Sequence, residues 1–175
     1  MDNILPYLTK DFIDYFSKQK LQDKLLIELG SGDSTLYWEK KFKKVISYES
    51  NGFYADDLRK KIKRKVTELY TYDPTLNKIF LSERKLIDNF AKADYIIIDN
   101  KPNEGISRYD FSVCAVKYKK ESCSIILDNG NWNIEAYNYL RERFFVKDFP
   151  GICRIENTPT VTSVFSTSKL NYYNY

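Results

Sequence analysis

Leu25-Leu26-Ile27-Glu28-Leu29-Gly30-Ser31-Gly32-Asp33-Ser34-Thr35 decides how the rest of the chain reads. Leu25 to Leu29 is an apolar run too short for a helix, interrupted by one acid and closed by glycine. Such a run suits a central strand buried on both faces of a parallel sheet. Gly30-Ser31-Gly32 then permits a turn whose backbone takes positive φ and comes close to a ligand. Asp33, Ser34 and Thr35 are helix-opening residues, and Leu36-Tyr37-Trp38 begins a helical face. Strand, glycine turn and helix in that order hold nucleotide-like ligands at the carboxyl edge of an α/β sheet. Glu28 is the odd residue, because a carboxylate in a strand is costly without a donor or a cation. At the strand's end it is expected beside the ligand.

On the amino side, Thr9 to Lys20 sets Phe12, Ile13 and Phe16 on one face of an amphipathic helix. On the carboxyl side, strands and helices alternate. The pattern predicts a helix over 34–42, a strand over 44–50, and a helix capped by Asn51 in which Tyr54, Leu58 and Ile62 fall four apart. A strand over 66–72 stops at Asp73-Pro74, and a helix runs from 78 to 91. A strand follows at 94–99, a loop at 101–105, a helix at 107–121, a strand at 124–128 and a helix at 133–145. The tail turns to β patterning at 146–155 and 161–167. This order predicts one α/β domain over 1–175, a Rossmann-like, doubly wound, mostly parallel sheet in three layers. The adjoining tail strands predict a C-terminal antiparallel pair. The amino-terminal helix is placed at 9–20 and the core at 24–169.

The expected strand ends collect acids, Glu28, Glu49, Asp73, Asp99 and Asp128, and glycines, Gly30, Gly32, Gly52, Gly105 and Gly130. In an open α/β sheet this edge binds ligands; the plainer reading is that loops favour Gly and Asp.

Composition narrows the chemistry. No histidine occurs among the 175 residues, which removes zinc-histidine sites, Ser-His-Asp triads and imidazole acid/base work. Cys114, Cys123 and Cys153 are odd in number without CxxC spacing, and read as reduced core residues of a cytoplasmic protein. Met1 to Pro6 lacks the features of a signal peptide, and no run approaches a membrane helix. Arg59, Lys60, Lys61, Lys63, Arg64 and Lys65 carry six positive charges against a formal net of +4, so the remainder is slightly acidic. That run ends a helix, at the edge opposite the ligand site, where cations complement the helix dipole. Neither a nucleic-acid nor a membrane partner is expected.

Glu28 to Thr35 resembles the first motif of the class I S-adenosylmethionine-dependent methyltransferases, in an ELGSGxST variant of its acidic-x-Gly-x-Gly pattern. The resemblance implies S-adenosylmethionine contacts at Glu28, Gly30, Ser31, Gly32, Ser34 and Thr35, with the glycine turn under the methionine part. The dinucleotide fingerprint GxGxxG fits less well, since it needs glycine at Thr35. Val45 to Ser50 resembles the second motif, vxSxE. Glu49, 21 residues beyond Glu28, stands where an acid accepts hydrogen bonds from ribose hydroxyls, with Ser50 beside it. The bland reading of Glu49 is a helix-capping surface acid. By the family pattern Asp73 faces the adenine amino group.

Tyr95 to Asn100 resembles the family's fourth-strand motif DxxxIDG, with Asn100 in place of glycine. Asp99 then lies near the amino end of the cofactor, and Arg108 matches the arginine that follows this loop. Methyl transfer needs in-line placement, an electrostatic setting and sometimes a base; Asp99 and Asp128 are the expected catalytic carboxylates. Asn100, Lys101, Arg108 and Asn129 are expected on the acceptor side. Catechol-type O-methyltransferases hold a divalent metal with an acid after the fourth strand and Asp-Asn after the fifth. Asp99, Asp128 and Asn129 match that set by type, but that family's lysine lies three residues past its first ligand, and Lys101 is only two past Asp99. The reading is therefore without metal, those three being the alternative ligands.

The resemblance runs from about Lys24 to Lys169. It implies methyl transfer to a small-molecule or sugar-like acceptor. The rivals are a nucleoside-cofactor fold kept as a binding module, motivated by the short chain, and an NAD-dependent oxidoreductase, weakened by Thr35.

Overall fold

The computed structural model describes residues 5–101, 105–153 and 157–168. The readings for Met1–Ile4, for the centre of the 101–105 loop, for Arg154 and Ile155, and for Lys169 fall outside them. Among the described residues seven strands form one sheet: β1 Leu25–Leu29, β2 Lys44–Glu49, β3 Thr67–Thr71, β4 Tyr95–Ile98, β5 Ser124–Leu127, β6 Phe145–Ile152 and β7 Pro159–Ser166. The helices are α1 Lys10–Ser17, α2 Asp33–Trp38, α3 Gly52–Lys61, α4 Asn77–Leu81, α5 Arg84–Lys92, α6 Arg108–Tyr118 and α7 Ile134–Arg141.

The sheet order is β3-β2-β1-β4-β5-β7-β6. The first five strands in that order are parallel, and β7 runs antiparallel to both β5 and β6. The predicted doubly wound sheet and its antiparallel ending are both present.

Each inner strand feeds two cores, because successive side chains leave opposite faces. Ile27, Leu29, Ile46, Ile96, Ile98, Ile125 and Leu127 meet Leu86 and Phe90 of α5, Phe111 of α6 and Leu140 of α7. Leu26, Val45, Ile97, Ile126 and Val164 meet Phe12 and Phe16 of α1 and Trp38 of α2. Helices therefore cover both faces, which gives three layers. On the second face Phe16 stacks edge-on to Trp38 at 5.5 Å and to Tyr95 at 5.0 Å. Burying each such ring stabilises by roughly 1.5–3 kcal/mol.

Some boundaries differ from the periodic pattern. The helix expected over 78–91 is two, because Ser82 closes the first: its N–H and its hydroxyl both donate to the Ile79 carbonyl, at 3.1 and 2.8 Å. Short-range hydroxyl-to-backbone bonds of this kind compete with helix continuation. The basic run is partly internal. Arg64 donates to the carbonyls of Glu39 and Phe42, and Arg59 and Lys60 pair with Asp56 and Asp57 on their own helix. Among the described residues no helix is long and apolar enough to cross a membrane.

Candidate functional site

The winding of the sheet reverses between β1 and β4, so a crevice opens at their carboxyl ends. The glycine turn forms its floor. Gly30 takes φ +94°, and a Cβ there would lie 2.5 Å from the Asp99 carbonyl oxygen. The turn is pinned on both sides: Gly30 N–H donates to the Tyr48 carbonyl at 2.9 Å, and Asp99 N–H to the Leu29 carbonyl at 2.8 Å. Only glycine fits, because the neighbouring backbone occupies the space of a side chain.

Glu28 lies beneath this floor. It is fully buried, and its carboxylate accepts from Ser34 Oγ at 2.6 Å, Thr35 Oγ1 at 2.5 Å and Ser47 Oγ at 2.6 Å. Burial pushes its carboxyl up to about 7, against the pull of those three hydroxyls, with nearby Asp99 adding to the rise. Ser47 reaches it because β1 and β2 pair Glu28 with Ser47. Glu28 and Thr35 thus brace the turn from below.

Glu49 stands on the wall. Its Oε2 accepts from Ser31 N–H at 3.0 Å and its Oε1 from Asn51 N–H at 2.8 Å. It is 8% exposed, more enclosed than a surface cap. Gly32 N–H is taken by Thr35 Oγ1 at 3.1 Å. The amides of Ser31 and Gly32 are therefore committed inside the protein.

The cleft has a volume of about 340 Å³ and is lined by Gly30, Ser31, Gly32, Ser34, Glu49, Ser50, Asp99, Asn100 and Lys101 among the sequence-predicted residues. Tyr7, Asp33, Asn51 and Tyr54 also line it and were not anticipated. Asn51 is the expected cap, accepting from Tyr54 N–H at 3.0 Å. Tyr54, four residues before Leu58 on the same helix, brings its hydroxyl over Gly32. Neither Tyr7 nor Asp33 carries a local signal for this placement. Asp73 is outside the wall: it is exposed and accepts from Thr75 N–H and Thr75 Oγ1 at 2.9 and 2.7 Å, capping the turn after β3.

Arg108, Asp128 and Asn129 lie behind the cleft. The Arg108 guanidinium, at the start of α6, donates to Asp99 Oδ1 at 2.9 Å, to the Asn100 carbonyl at 2.9 Å, to Asn129 Oδ1 at 3.2 Å and to the Asp128 carbonyl. Asp128 accepts from Thr162 Oγ1 at 2.7 Å. Its carboxyl is pushed up to about 7, first by burial and then by Asp99. Burial also raises Asp99, against the attraction of Arg108. Asn129 Nδ2 donates to Thr160 Oγ1 at 2.8 Å. The three residues of the alternative metal set do converge, but around a guanidinium, and both ends of the Asn129 amide are engaged. That donor set does not fit a divalent cation. No group of three or more His, Cys, Asp or Glu suited to a metal occurs among the described residues.

No protein-family model and no curated protein matches the sequence. Solved structures match the fold. The precorrin-6y C5,15-methyltransferase of Geobacter metallireducens GS-15 superposes with TM-score 0.65 at 13% identity, covering 95% of this chain and 92% of that one. The O-methyltransferase TomG of Streptomyces achromogenes, involved in tomaymycin synthesis and crystallised with S-adenosylmethionine, gives 0.60 at 13%, covering 84% and 74%. The precorrin 8w decarboxylase of Methanobacterium thermoautotrophicum gives 0.58 at 12%, covering 87% and 85%. The chain has the fold of the class I S-adenosylmethionine-dependent methyltransferases.

Proposed function

We propose that the chain binds S-adenosylmethionine in the crevice between β1 and β4 and transfers its methyl group to a small-molecule acceptor. Fold alone does not set the reaction, as the decarboxylase neighbour illustrates; the site has to carry the argument.

One observation supports it: the cleft is lined by acids and its turn amides are already occupied, a setting that favours a positively charged nucleoside over a pyrophosphate. Among the described residues Asp33, Glu49 and Asp99 line it against one cation, Lys101. The Ser31 and Gly32 amides, which a dinucleotide site would aim at phosphate, are held by Glu49 and Thr35. An anionic pocket repels diphosphate and suits a sulfonium. The cofactor also fits the Gly30 turn, which brings bare backbone to the floor of the cleft.

S-adenosylmethionine, when bound, supplies an electrophilic methyl on a cationic sulfur. In this reading Glu49 accepts from the ribose hydroxyls with the lone pairs left over from Ser31 and Asn51. Asp99, a quarter exposed at its side chain, faces the reacting end and can hold the proton an acceptor gives up. Arg108 fixes Asp99 in place. Asn100 and Lys101 stand on the acceptor side.

Isothermal titration with S-adenosylhomocysteine and with NAD tests this. S-adenosylhomocysteine should bind and NAD should not; binding of NAD alone would reverse the assignment. Glu49→Ala should weaken S-adenosylhomocysteine about ten- to a hundredfold, the equivalent of losing charged hydrogen bonds of ~1.5–3 kcal/mol. Unlike a surface acid, Glu49 also satisfies two backbone N–H groups, so the variant should lose about 1–3 kcal/mol of stability as well.

A further inference from the structure

Two carboxyl groups meet at the wall of the cleft with one guanidinium against them. β4 and β5 pair in parallel with Ile98 opposite Leu127, and Asp128 N–H donates to the Ile98 carbonyl at 3.1 Å. The next residues in that register, Asp99 and Asp128, therefore stand side by side at the ends of strands about 4.8 Å apart. Arg108 divides its bonds unequally: it reaches the Asp99 carboxylate at 2.9 Å but meets Asp128 at its backbone carbonyl. From β7 the neutral Thr162 hydroxyl donates to Asp128 Oδ1 at 2.7 Å. Glu28, on β1, is a third acid within the field of Asp99. Lys101, two residues past Asp99, lines the cleft and is exposed.

Two buried carboxylates against one guanidinium keep an uncompensated charge, and holding a proton removes it. The carboxyls are in hydrogen-bond contact, Asp128 donating to Asp99, which requires a proton because a carboxylate has no donor of its own. Thr162 already donates to Oδ1 of Asp128, so the proton belongs on the other oxygen. Burial raises both groups, and the charge of Asp99 adds to the rise of Asp128. The two differ in access. Asp128 is 3% exposed, whereas Asp99 keeps a quarter of its side chain open and lines the cleft. A ligand there meets Asp99 and senses Asp128 through it.

We propose that Asp99 and Asp128 act as one proton-sharing unit, with Asp128 as its positioning residue: the pair holds a single proton in the free protein and releases it when a cation enters the cleft. The proposal rests on the methyl-donor reading of the cleft and adds a proton to it. S-adenosylmethionine brings one net positive charge, which takes the place of the proton beside the pair while the proton leaves to solvent. The doubly ionised pair can then receive the proton of an acceptor O–H or N–H. As the acceptor atom bonds to the methyl carbon, the carbon–sulfur bond breaks and its electron pair stays on sulfur. The acceptor's proton passes to Asp99. The sulfide is neutral and the pair again carries one proton, the state in which it began, so charge balances across the transfer.

Titration calorimetry with S-adenosylmethionine at pH 6.5, in phosphate and in ACES buffer, tests this, because a released proton adds the buffer's own heat of ionisation to the signal. The two buffers should report release of roughly half a proton per protein, as expected when an opposite charge acts on a group titrating near neutrality. The ligand's α-amino group is already charged at that pH and contributes little. Affinity should rise about four- to eightfold from pH 5.5 to pH 7, by linkage. Asp128→Asn, whose amide still donates to Asp99 but holds no titrating proton, should bind and lose both effects. A heat independent of buffer in wild type, or unchanged release in Asp128→Asn, would overturn the proposal and leave the methyl-donor reading standing. Failure of S-adenosylmethionine to bind wild type would remove that reading and the proposal with it. Carbon-13 NMR of the aspartate carboxyls in the free wild-type protein decides the matter even where the variant fails to fold. One proton lost between pH 5 and pH 8 across two signals that titrate together is expected, and two carboxylates both ionised at pH 5 would overturn the proposal.

Discussion

Glu28 shows what a single residue does here. A carboxyl group sealed beneath the turn, with three hydroxyls donating to it, is pushed up to about 7 from an ordinary value near 4.5 because burial outweighs those bonds. Between those two pH values the native state keeps a proton that the unfolded chain gives up. Stability therefore falls as pH rises through that window and levels off above it. Asp128, also pushed up to about 7, acts in the same sense. Asp99 is raised by burial too, and Glu28→Gln removes one of these contributions. Denaturant unfolding at pH 5 and pH 7.5 should show a smaller difference for the variant than for wild type, and an identical difference would mean that Glu28 is ionised in the native state. Glutamine fits because hydroxyls can rotate to accept from its amide.

At the scale of the element, the β1–α2 turn and the start of α3 use glycine for opposite reasons. Gly30 is required: its φ of +94° and its 2.5 Å approach to the Asp99 carbonyl leave no room for a methyl group. Gly30→Ala should cost more than about 2 kcal/mol, from strain and from pushing β1 off β4. Gly52 opens α3 with nothing within 4 Å of where its Cβ would be. Gly52→Ala should stabilise by ~0.4–1 kcal/mol, by restricting the unfolded chain. Chemical denaturation of the two variants checks the pair, and equal effects would contradict the turn geometry.

The whole molecule is tied together at the site by β7, inserted between β5 and β6. Thr162 on that strand accepts from Thr9 N–H at 3.1 Å and donates to Asp128 Oδ1 at 2.7 Å. One hydroxyl thus joins the cap of α1, the carboxyl end of β5 and the antiparallel pair. Thr160, on the same strand, accepts from Asn129 Nδ2 at 2.8 Å. Thr162→Val is nearly isosteric but strands two buried polar groups, so it should destabilise by about 2–4 kcal/mol. Because Asp128 sits beside Asp99, ligand affinity should fall with it. A valine variant of wild-type stability, measured by urea unfolding, would show that the hydroxyl relay is not formed.

Much of this was legible in the sequence. Apolar runs such as Ile96-Ile97-Ile98, the glycines at strand ends and the helical spacing between them are local properties, governed by sterics and periodicity within a few residues. They determined the alternating architecture, the antiparallel ending and the sheet edge at which the cleft opens. What faces the cleft was decided only in three dimensions. Glu28 looked like a ligand contact, yet register against Ser47 turns it under the floor. Asp73 matched a pattern, yet its nearest donors are on its own turn. Arg108 looked like a substrate residue, yet four acceptors from β4, β5 and their loops enclose it. Tyr7 precedes α1 and Asp33 opens α2, and those two helices pack on the same face of the sheet. A side chain's direction at that edge depends on partners as remote as Thr9 from Thr162, and no window of neighbouring residues contains them.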